Sequence, residues 1–144
     1  MKSILITVLL ALTFAVSQTQ NQIKMEVKEI EQFIQEYALA VDKGNAALAG
    51  NFLDKDFRVV LNNHNNSGNK VIFSREQYLN LMQNGKVGGN KRKLTFLLTD
   101  VHENGAIVKV RLEGEKNIFT NYYNLLKSKG GWSIINDQPQ IISK

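Results

Sequence analysis

The sequence predicts an α+β domain, in which helices pack on one face of an antiparallel sheet. Two observations lead to this prediction. Between Ile23 and Val41, apolar residues recur at alternating steps of four and three, which is the spacing of one face of an α-helix. After Arg92, apolar and polar residues alternate, which is typical of strands with one buried face. A chain of 144 residues is expected to form one domain.

Three helices are expected before the main sheet. The first ends at Gly44, because glycine readily adopts the left-handed conformation that closes a helix. Asn45 can cap a second, short helix that runs through Leu53 and is broken by residues 54–56. Ser74 can cap a third helix, since acidic and amide side chains follow it in the first turn.

Six strands are expected, two short ones and four that form an antiparallel meander. The short strands enclose a segment rich in asparagine, glycine and serine, which are turn-forming residues. Asn104-Gly105 is the strongest hairpin dipeptide in the chain and is expected to join the first two strands of the meander. The predicted strands cover residues 57–61, 71–73, 94–101, 106–112, 118–127 and 132–135.

The N-terminus has the composition of a secretory signal peptide. A basic start is followed by a mostly apolar run over residues 4–16, with small side chains at Ala15 and Ser17, where a signal peptidase would read them. The alternative is a membrane anchor, but the run is shorter than the roughly 20 residues of a membrane-spanning helix. We therefore expect an exported protein, periplasmic or secreted, with no membrane span after cleavage. The expected divisions are a signal peptide (residues 1–17), a disordered spacer (18–22) and a single domain (23–142).

The composition excludes several kinds of chemistry. The chain has no cysteine, so it has no disulfide, thiol nucleophile or thiolate metal site. With only two histidines, we expect no metal site and no cofactor. The formal charge of +5 falls to +4 if the signal peptide, which contains Lys2, is removed. The one basic cluster, at residues 89–93, has no aromatic platform beside it, so no nucleic-acid partner is expected.

Two stretches resemble a known superfamily. FIQEYALAVDKGNAALAGNFLDKDFRV, residues 33–59, is similar to the opening of the nuclear-transport-factor-2-like (NTF2-like) superfamily: a long helix, a D-x-G-D/N corner, a short helix and a strand. FTNYYNLLKSKGGWSIIN, residues 119–136, is similar to the ending of that superfamily. The resemblance covers about residues 23–138. It is strongest to the branch named putative lumazine-binding, near the SnoaL-like polyketide cyclases and the DUF4440 branch.

The resemblance implies an NTF2-like cone, in which three N-terminal helices pack on a curved antiparallel sheet with a mixed edge. It also implies an apolar cavity at the open end of the cone, and a homodimer that forms through the sheet face. This fold hosts enzymes, binding proteins and assembly modules, so the resemblance specifies the fold and leaves the activity open.

Ketosteroid isomerase, an enzyme of this fold, provides a test for one activity. It uses a tyrosine on the first helix, an aspartate base after the first strand and a protonated aspartate on a later strand. Tyr37 stands at the matching helix position, but the first predicted strand ends in VLNN, at residues 60–63. Residues 117–127 contain no acidic side chain either. Steroid-isomerase chemistry is therefore not expected.

His64 stands among asparagines in the stretch LNNHNNSGNK. An imidazole with an unperturbed pKa of about 6.5 could serve as a general base. That role needs an orienting partner and a dry pocket, whereas the neighbouring turn residues favour an exposed hairpin tip. His102 lies beside the Asn104-Gly105 turn and is expected to face solvent.

Three functional hypotheses remain open. The first is a protein that binds a small apolar or aromatic ligand in the cone, with Tyr37 and Asn62 as polar contacts. The second is a cyclase- or isomerase-type enzyme with Tyr37 as donor and His64 as base. The third is a protein-interaction module without a ligand.

Tyr37 could also be a core residue, and Tyr122 and Tyr123 must lie on opposite faces of their strand. The candidate ligand contacts are Tyr37, Asn62, Phe96, Tyr122 and Trp132.

Overall fold

The computed structural model describes residues 2–62 and 68–144, and for residues 2–17 and 19 it describes the backbone alone. The chain forms three helices and six strands within these ranges. In chain order they are α1 (Lys2–Asp42), α2 (Ala46–Gly50), β1 (Leu53–Leu61), β2 (Val71–Ser74), α3 (Arg75–Gln83), β3 (Lys93–His102), β4 (Gly105–Glu113), β5 (Asn117–Ser128) and β6 (Gly131–Ser143).

The strands form one mixed sheet in the order β2-β1-β6-β5-β4-β3. Strands β3 to β6 pair antiparallel with their chain neighbours, which confirms the predicted meander. Strand β1 pairs antiparallel with β2 and parallel with β6. The α+β class is therefore confirmed.

The three helices are not all N-terminal to the sheet, as the resemblance implied, because α3 lies between β2 and β3, where the strand at residues 71–73 and the Ser74 cap predicted it. Its position follows from the chemistry at the end of β2. The Ser74 hydroxyl accepts a hydrogen bond from the backbone N–H of Gln77 at 3.2 Å, and the Gln77 side chain accepts one from the backbone N–H of Ser74 at 2.9 Å. This reciprocal pair starts a helix immediately after the strand.

Helix α1 presents the predicted apolar stripe to the sheet. Ile30, Ile34, Tyr37 and Val41 on this stripe are buried. The helix also runs through residues 18–22, where the sequence analysis expected a disordered spacer. No glycine or proline occurs between residues 2 and 42, so the backbone has no helix-breaking residue there. No helix in the described parts of the chain is both long and apolar enough to cross a membrane.

The second helix is shorter than predicted. Asn45 caps it as expected, accepting a hydrogen bond from the N–H of Leu48 at 3.0 Å, but the helix ends at Gly50. Strand β1 begins at Leu53 because β6 offers it backbone partners: Ile134 N–H donates to the carbonyl of Phe52 at 2.9 Å. The sequence DKD that was expected to separate helix from strand therefore lies inside β1.

The hairpin between β3 and β4 also differs from the prediction by one residue. His102 pairs with Gly105, so the loop is Glu103-Asn104 rather than Asn104-Gly105. Glu103 has a positive φ of 51°. Burial of alternate residues from Ala106 along β4 accounts for this register, since a slip of one residue would turn the apolar side chains of β4 to the outer face.

The core lies between α1, α3 and the inner face of the sheet. Tyr123 is 2% exposed and belongs to this core, whereas Tyr122 is 36% exposed on the outer face, which confirms their predicted opposition. The outer face also carries Leu98, Ile107 and Leu126, all about half-exposed.

Candidate ligand-binding site

A cavity of about 680 Å³ lies between the inner face of the sheet, α3 and the loop that follows α3. Most of its wall is apolar. The apolar wall residues are Val41, Val59, Leu61, Phe73, Leu81, Val87, Phe119, Pro139 and Ile141. The polar and charged wall residues are Tyr78, Lys86, Asn90, Arg92, Asn117, Asn121 and Asp137. A cavity of this size and character can hold a small organic molecule.

Asp137 reaches the cavity because β6 contains a bulge. Ile134 is buried, so strict alternation along the strand would point Asp137 outward. The pairing of β5 with β6 shifts by one residue at Asn124 and Leu125, which makes Ile135 the extra residue. Beyond the bulge, the inward positions have changed from even to odd numbers, and Asp137 is only 4% exposed.

Asn121 on β5 holds the Asp137 carboxyl group. Its side-chain Nδ2 donates to Oδ1 of Asp137 at 2.8 Å and to Oδ2 at 3.1 Å. Among the side chains that the structure describes, no lysine, arginine or histidine forms an ion pair with Asp137. A neutral amide is therefore the direct partner of this buried acid.

Burial raises the pKa of the Asp137 carboxyl from 3.8 to about 7, because removal from water penalises its charged form. The Asn121 hydrogen bond and the positive charge of Arg92 both act in the opposite direction. The carboxyl group thus gains or loses its proton near neutral pH while it faces the cavity, so it can either accept or donate a proton there.

Three tyrosines lie next to this acid. The hydroxyl of Tyr37 donates to the hydroxyl of Tyr78 at 3.3 Å, and the rings of Tyr37 and Tyr123 meet edge to face with their centroids 5.9 Å apart. Burial raises the pKa of all three hydroxyls, and the negative charge of Asp137 adds to the effect. They stay protonated near neutral pH, so they can donate hydrogen bonds but cannot act as bases.

Arg92 lies in the cavity wall and is held by Asp42 at the end of α1. Its Nε donates to Oδ1 of Asp42 at 2.5 Å, and its backbone N–H donates to Oδ2 at 3.1 Å. The guanidinium group also lies over the Phe119 ring, 5.4 Å from its centroid. Asp42 therefore balances the charge of Arg92 beside the cavity.

The five predicted ligand contacts are absent from the cavity wall that the described residues form. Tyr37 is buried behind Tyr78, and Trp132 is buried in the core. Phe96 is half-buried and packs against the core. Asn62 is exposed just after β1, and Tyr122 lies on the outer face, where the Lys109 ammonium stands 5.2 Å from its ring centroid. His64 lies outside the described residues, and His102 is exposed as predicted.

The two polar residues at the centre of the wall, Asn121 and Asp137, were not singled out by the sequence analysis. Asn121 could have been found, since alternation places it on the same face as Tyr123 and Leu125. Asp137 could not, because alternation gives the wrong face unless the bulge is known. Within residues 2–62 and 68–144, no three His, Asp or Glu side chains are grouped so that they could hold a metal ion.

Comparison with known families gives the same fold. The family model described as "Putative lumazine-binding" matches residues 25–138, which is most of the chain. The chain belongs to this family. The match spans α3, the meander up to Gln138 and the part of α1 that packs on the sheet, so this putative lumazine-binding domain contains the cavity wall except Pro139 and Ile141. No curated protein matches the sequence.

Solved structures with the same fold are described as NTF2-like proteins. One from Silicibacter pomeroyi has a TM-score of 0.72 and 13% identity, covering 83% of this chain and 98% of that chain. One from Shewanella baltica has a TM-score of 0.73 and 13% identity, covering 83% of this chain and 96% of that chain. One from Cytophaga hutchinsonii has a TM-score of 0.67 and 16% identity, covering 80% of this chain and 97% of that chain. At these identities the similarity shows the NTF2-like fold alone, which the putative lumazine-binding domain shares.

Proposed function

We propose that this protein binds a small, largely apolar or aromatic molecule in its cavity. The observation that carries the proposal is a space of about 680 Å³ with an apolar wall and one buried Asn–Asp pair, Asn121 and Asp137. Ligand pockets commonly combine this size with few polar groups, because the apolar wall supplies affinity while the polar groups orient the ligand. The family name makes lumazine, a flat heteroaromatic molecule, the first compound to test.

A pair of variants on β1 can test the proposal. Val59 lines the cavity, whereas its neighbour Val60 points to the other face of the sheet. Val59→Phe adds a ring inside the cavity, and Val60→Phe adds the same volume outside it. We expect lumazine or another flat heterocycle to raise the melting temperature of the wild type and of Val60→Phe, and to lose that effect in Val59→Phe. Equal effects on both variants would contradict binding in the cavity.

A proton-transferring enzyme is the second candidate, and Asp137 is the observation that favours it. A carboxyl group with a pKa of about 7 at a cavity wall is suited to general acid–base catalysis. This candidate replaces the predicted pair of Tyr37 and His64, since Tyr37 stays behind the wall. NMR can follow exchange of carbon-bound hydrogens of a bound ligand in D₂O. Exchange that persists unchanged in Asp137→Asn would exclude this role.

Export of the protein remains a proposal that rests on the N-terminal composition. We propose that residues 1–17 act as a signal peptide and that the mature chain begins near Gln18. The intact mass of the protein, isolated from its own source, tests this directly. A chain that still starts at Met1 would contradict it.

Dimer formation through the outer face of the sheet is a separate proposal. Leu98, Ile107 and Leu126 are half-exposed there, and a partner would remove them from water. Light scattering at micromolar concentration should give the mass of a dimer for the wild type and of a monomer for Ile107→Glu. A wild-type monomer that captures a different exported protein would favour the interaction-module hypothesis instead.

A further inference from the structure

The Asn121–Asp137 pair in the cavity wall contains unused hydrogen-bond acceptor sites. Asn121 is 5% exposed, and its Oδ1 accepts no hydrogen bond within residues 2–62 and 68–144. Each carboxylate oxygen of Asp137 accepts one hydrogen bond from the Asn121 amide, although a carboxylate oxygen can accept two. Both residues belong to the cavity wall. The buried polar part of this wall is therefore rich in acceptors.

A buried acceptor without a donor is unfavourable, typically by about 1–3 kcal/mol. A ligand that donates to these atoms would remove this penalty and would also stabilise the ionised form of the acid. A ligand group that only accepts hydrogen bonds would instead place its lone pairs against those of Oδ1 of Asn121. The cavity thus discriminates between ligands by the direction of their hydrogen bonds.

We propose that Asn121 and Asp137 select a ligand that presents two N–H donors from one edge, such as an amidine, a guanidine or a 2-amino-heterocycle. One N–H donates to Oδ1 of Asn121 and the other to the carboxylate of Asp137, while the apolar body of the ligand packs against the remaining wall. This inference rests on the proposed function, since it names the class of ligand for the same cavity.

The charges around Asp137 are compatible with such a ligand. Asp42 at the end of α1 and Arg92 just before β3 form an ion pair beside the cavity. Lys86, in the loop after α3, is exposed at the cavity wall, where solvent screens its charge. Arg58 on β1 is exposed to solvent. It precedes Val59, which pairs with Asp137. The remaining titratable neighbours are the hydroxyls of Tyr37 on α1, Tyr78 on α3 and Tyr123 on β5, which stay neutral.

The proposal predicts a specific dependence of affinity on pH. A cationic two-donor group binds the ionised carboxylate of Asp137, so protonation of that carboxyl competes with binding. The affinity should be constant above pH 8 and should fall as the pH drops through about 7. The dissociation constant then increases by roughly tenfold for each pH unit below the pKa.

Benzamidine and benzamide form a matched pair of probes, because they have the same size but only benzamidine has two donors on its polar edge. We would measure both dissociation constants by calorimetry at pH 5.5 and pH 8, using the full mature chain. Benzamidine should bind at least tenfold more tightly than benzamide at pH 8, and this preference should fall at least tenfold at pH 5.5. Asp137→Asn should lose most of the preference, while Asp100→Asn on the outer face should keep it.

Four outcomes overturn the inference. Benzamide could bind as tightly as benzamidine at pH 8, or the affinity of benzamidine could be the same at both pH values. Both probes could also fail to bind while lumazine binds, which would leave the proposed function intact and reject only the donor-edge selection. Failure of all three compounds to bind would reject the inference and the proposed function together. The pH comparison uses the wild type alone, so the test remains valid if a variant does not fold.

Discussion

Asn121 and Asp137 are diagonal neighbours on adjacent strands of the sheet and are joined by two hydrogen bonds of 2.8 and 3.1 Å. Directly across from them, Asn121 pairs with Pro139 and Asp137 pairs with Tyr123. Diagonal side chains on one face lie close enough for such contacts. The relationship exists only because the bulge in β6 turns Asp137 inward, so a feature of the backbone creates the polar centre of the cavity.

The first prediction concerns the free energy of unfolding as a function of pH. The pKa of Asp137 is about 7 in the folded chain and near 3.8 in the unfolded chain, so the folded state binds the proton more tightly. The contribution of Asp137 to the free energy of unfolding is therefore greatest below pH 4 and is lost as the pH rises to 7. A difference of about three pH units corresponds to about 4 kcal/mol.

Asp137→Asn removes this titration and keeps a hydrogen-bonding side chain. We expect the variant to be close to the wild type in stability at pH 4.5 and to exceed it by a few kcal/mol at pH 8, as measured by urea unfolding. Asp100 is exposed, so Asp100→Asn is the control and should match the stability of the wild type at both pH values. A loss of stability in Asp137→Asn at pH 8 would show that the ionised acid is better compensated than its surroundings indicate.

The second prediction concerns the ion pair between Arg92 and Asp42, whose side chains are 11% and 13% exposed. Arg92→Gln or Asp42→Asn alone leaves a mostly buried charge without its partner, so each should lower stability by about 3 kcal/mol. The double variant should lose clearly less than the two single losses added together, as a double-mutant cycle would measure. Lys55→Gln breaks an exposed pair and should change stability by less than about 0.5 kcal/mol. Additive losses at Arg92 and Asp42 would contradict the coupling.

The third prediction compares two adjacent glycines in the loop that covers the cavity. Gly88 and Gly89 both have positive φ, of 82° and 72°. A Cβ on Gly88 would lie 2.2 Å from the carbonyl oxygen of Val41, whereas a Cβ on Gly89 meets nothing within 4 Å. Gly89→Ala should therefore cost about 1 kcal/mol for its φ alone, and Gly88→Ala should cost more and displace the loop. Similar losses for the two variants would show that the loop does not lie against α1.

The fourth prediction concerns the β3–β4 hairpin. Glu103 has a φ of 51°, a conformation that costs a residue with a side chain about 1 kcal/mol or more. Glu103→Gly should therefore raise the unfolding free energy by about 0.5–1 kcal/mol in thermal or denaturant melts. Asn104→Gly is the matched control and should lower it, because Asn104 has no positive φ to relieve. A gain from Asn104→Gly instead would indicate the register that the sequence predicted.

Periodicity predicted the main elements because their burial follows a regular repeat. The stripe from Ile30 to Val41 and the alternation in β4 both match the buried positions of the structure. The errors occur where one residue breaks the repeat. The extra residue Ile135 reverses the inward face of β6. The burial pattern of β4 places the β3–β4 hairpin one residue earlier than predicted, so Glu103 takes a positive φ. Such breaks depend on how each strand pairs with its neighbours in the sheet, which the pattern within one strand does not report.

The candidate site was harder to predict than the fold for the same reason. Most of the predicted ligand contacts are aromatic residues, but Trp132 and Tyr37 are core residues in the structure. Residues 117–127, where the resemblance to ketosteroid isomerase would place an acid, contain none, whereas the acid of the cavity lies on the next strand at Asp137. Its burial results from the bulge in β6 and from its contact with Asn121 on β5, and no local pattern around Asp137 signals either.

Native mass spectrometry of the mature protein, with lumazine and benzamidine added in separate experiments, tests most directly whether the cavity binds a small molecule. The comparison uses the wild type, Val59→Phe and Val60→Phe under conditions that keep weak complexes together. We predict that the wild type and Val60→Phe carry one small molecule per chain and that Val59→Phe carries none. If all three carry no ligand, or all three carry it equally, the cavity is not a binding site and the central claim is contradicted.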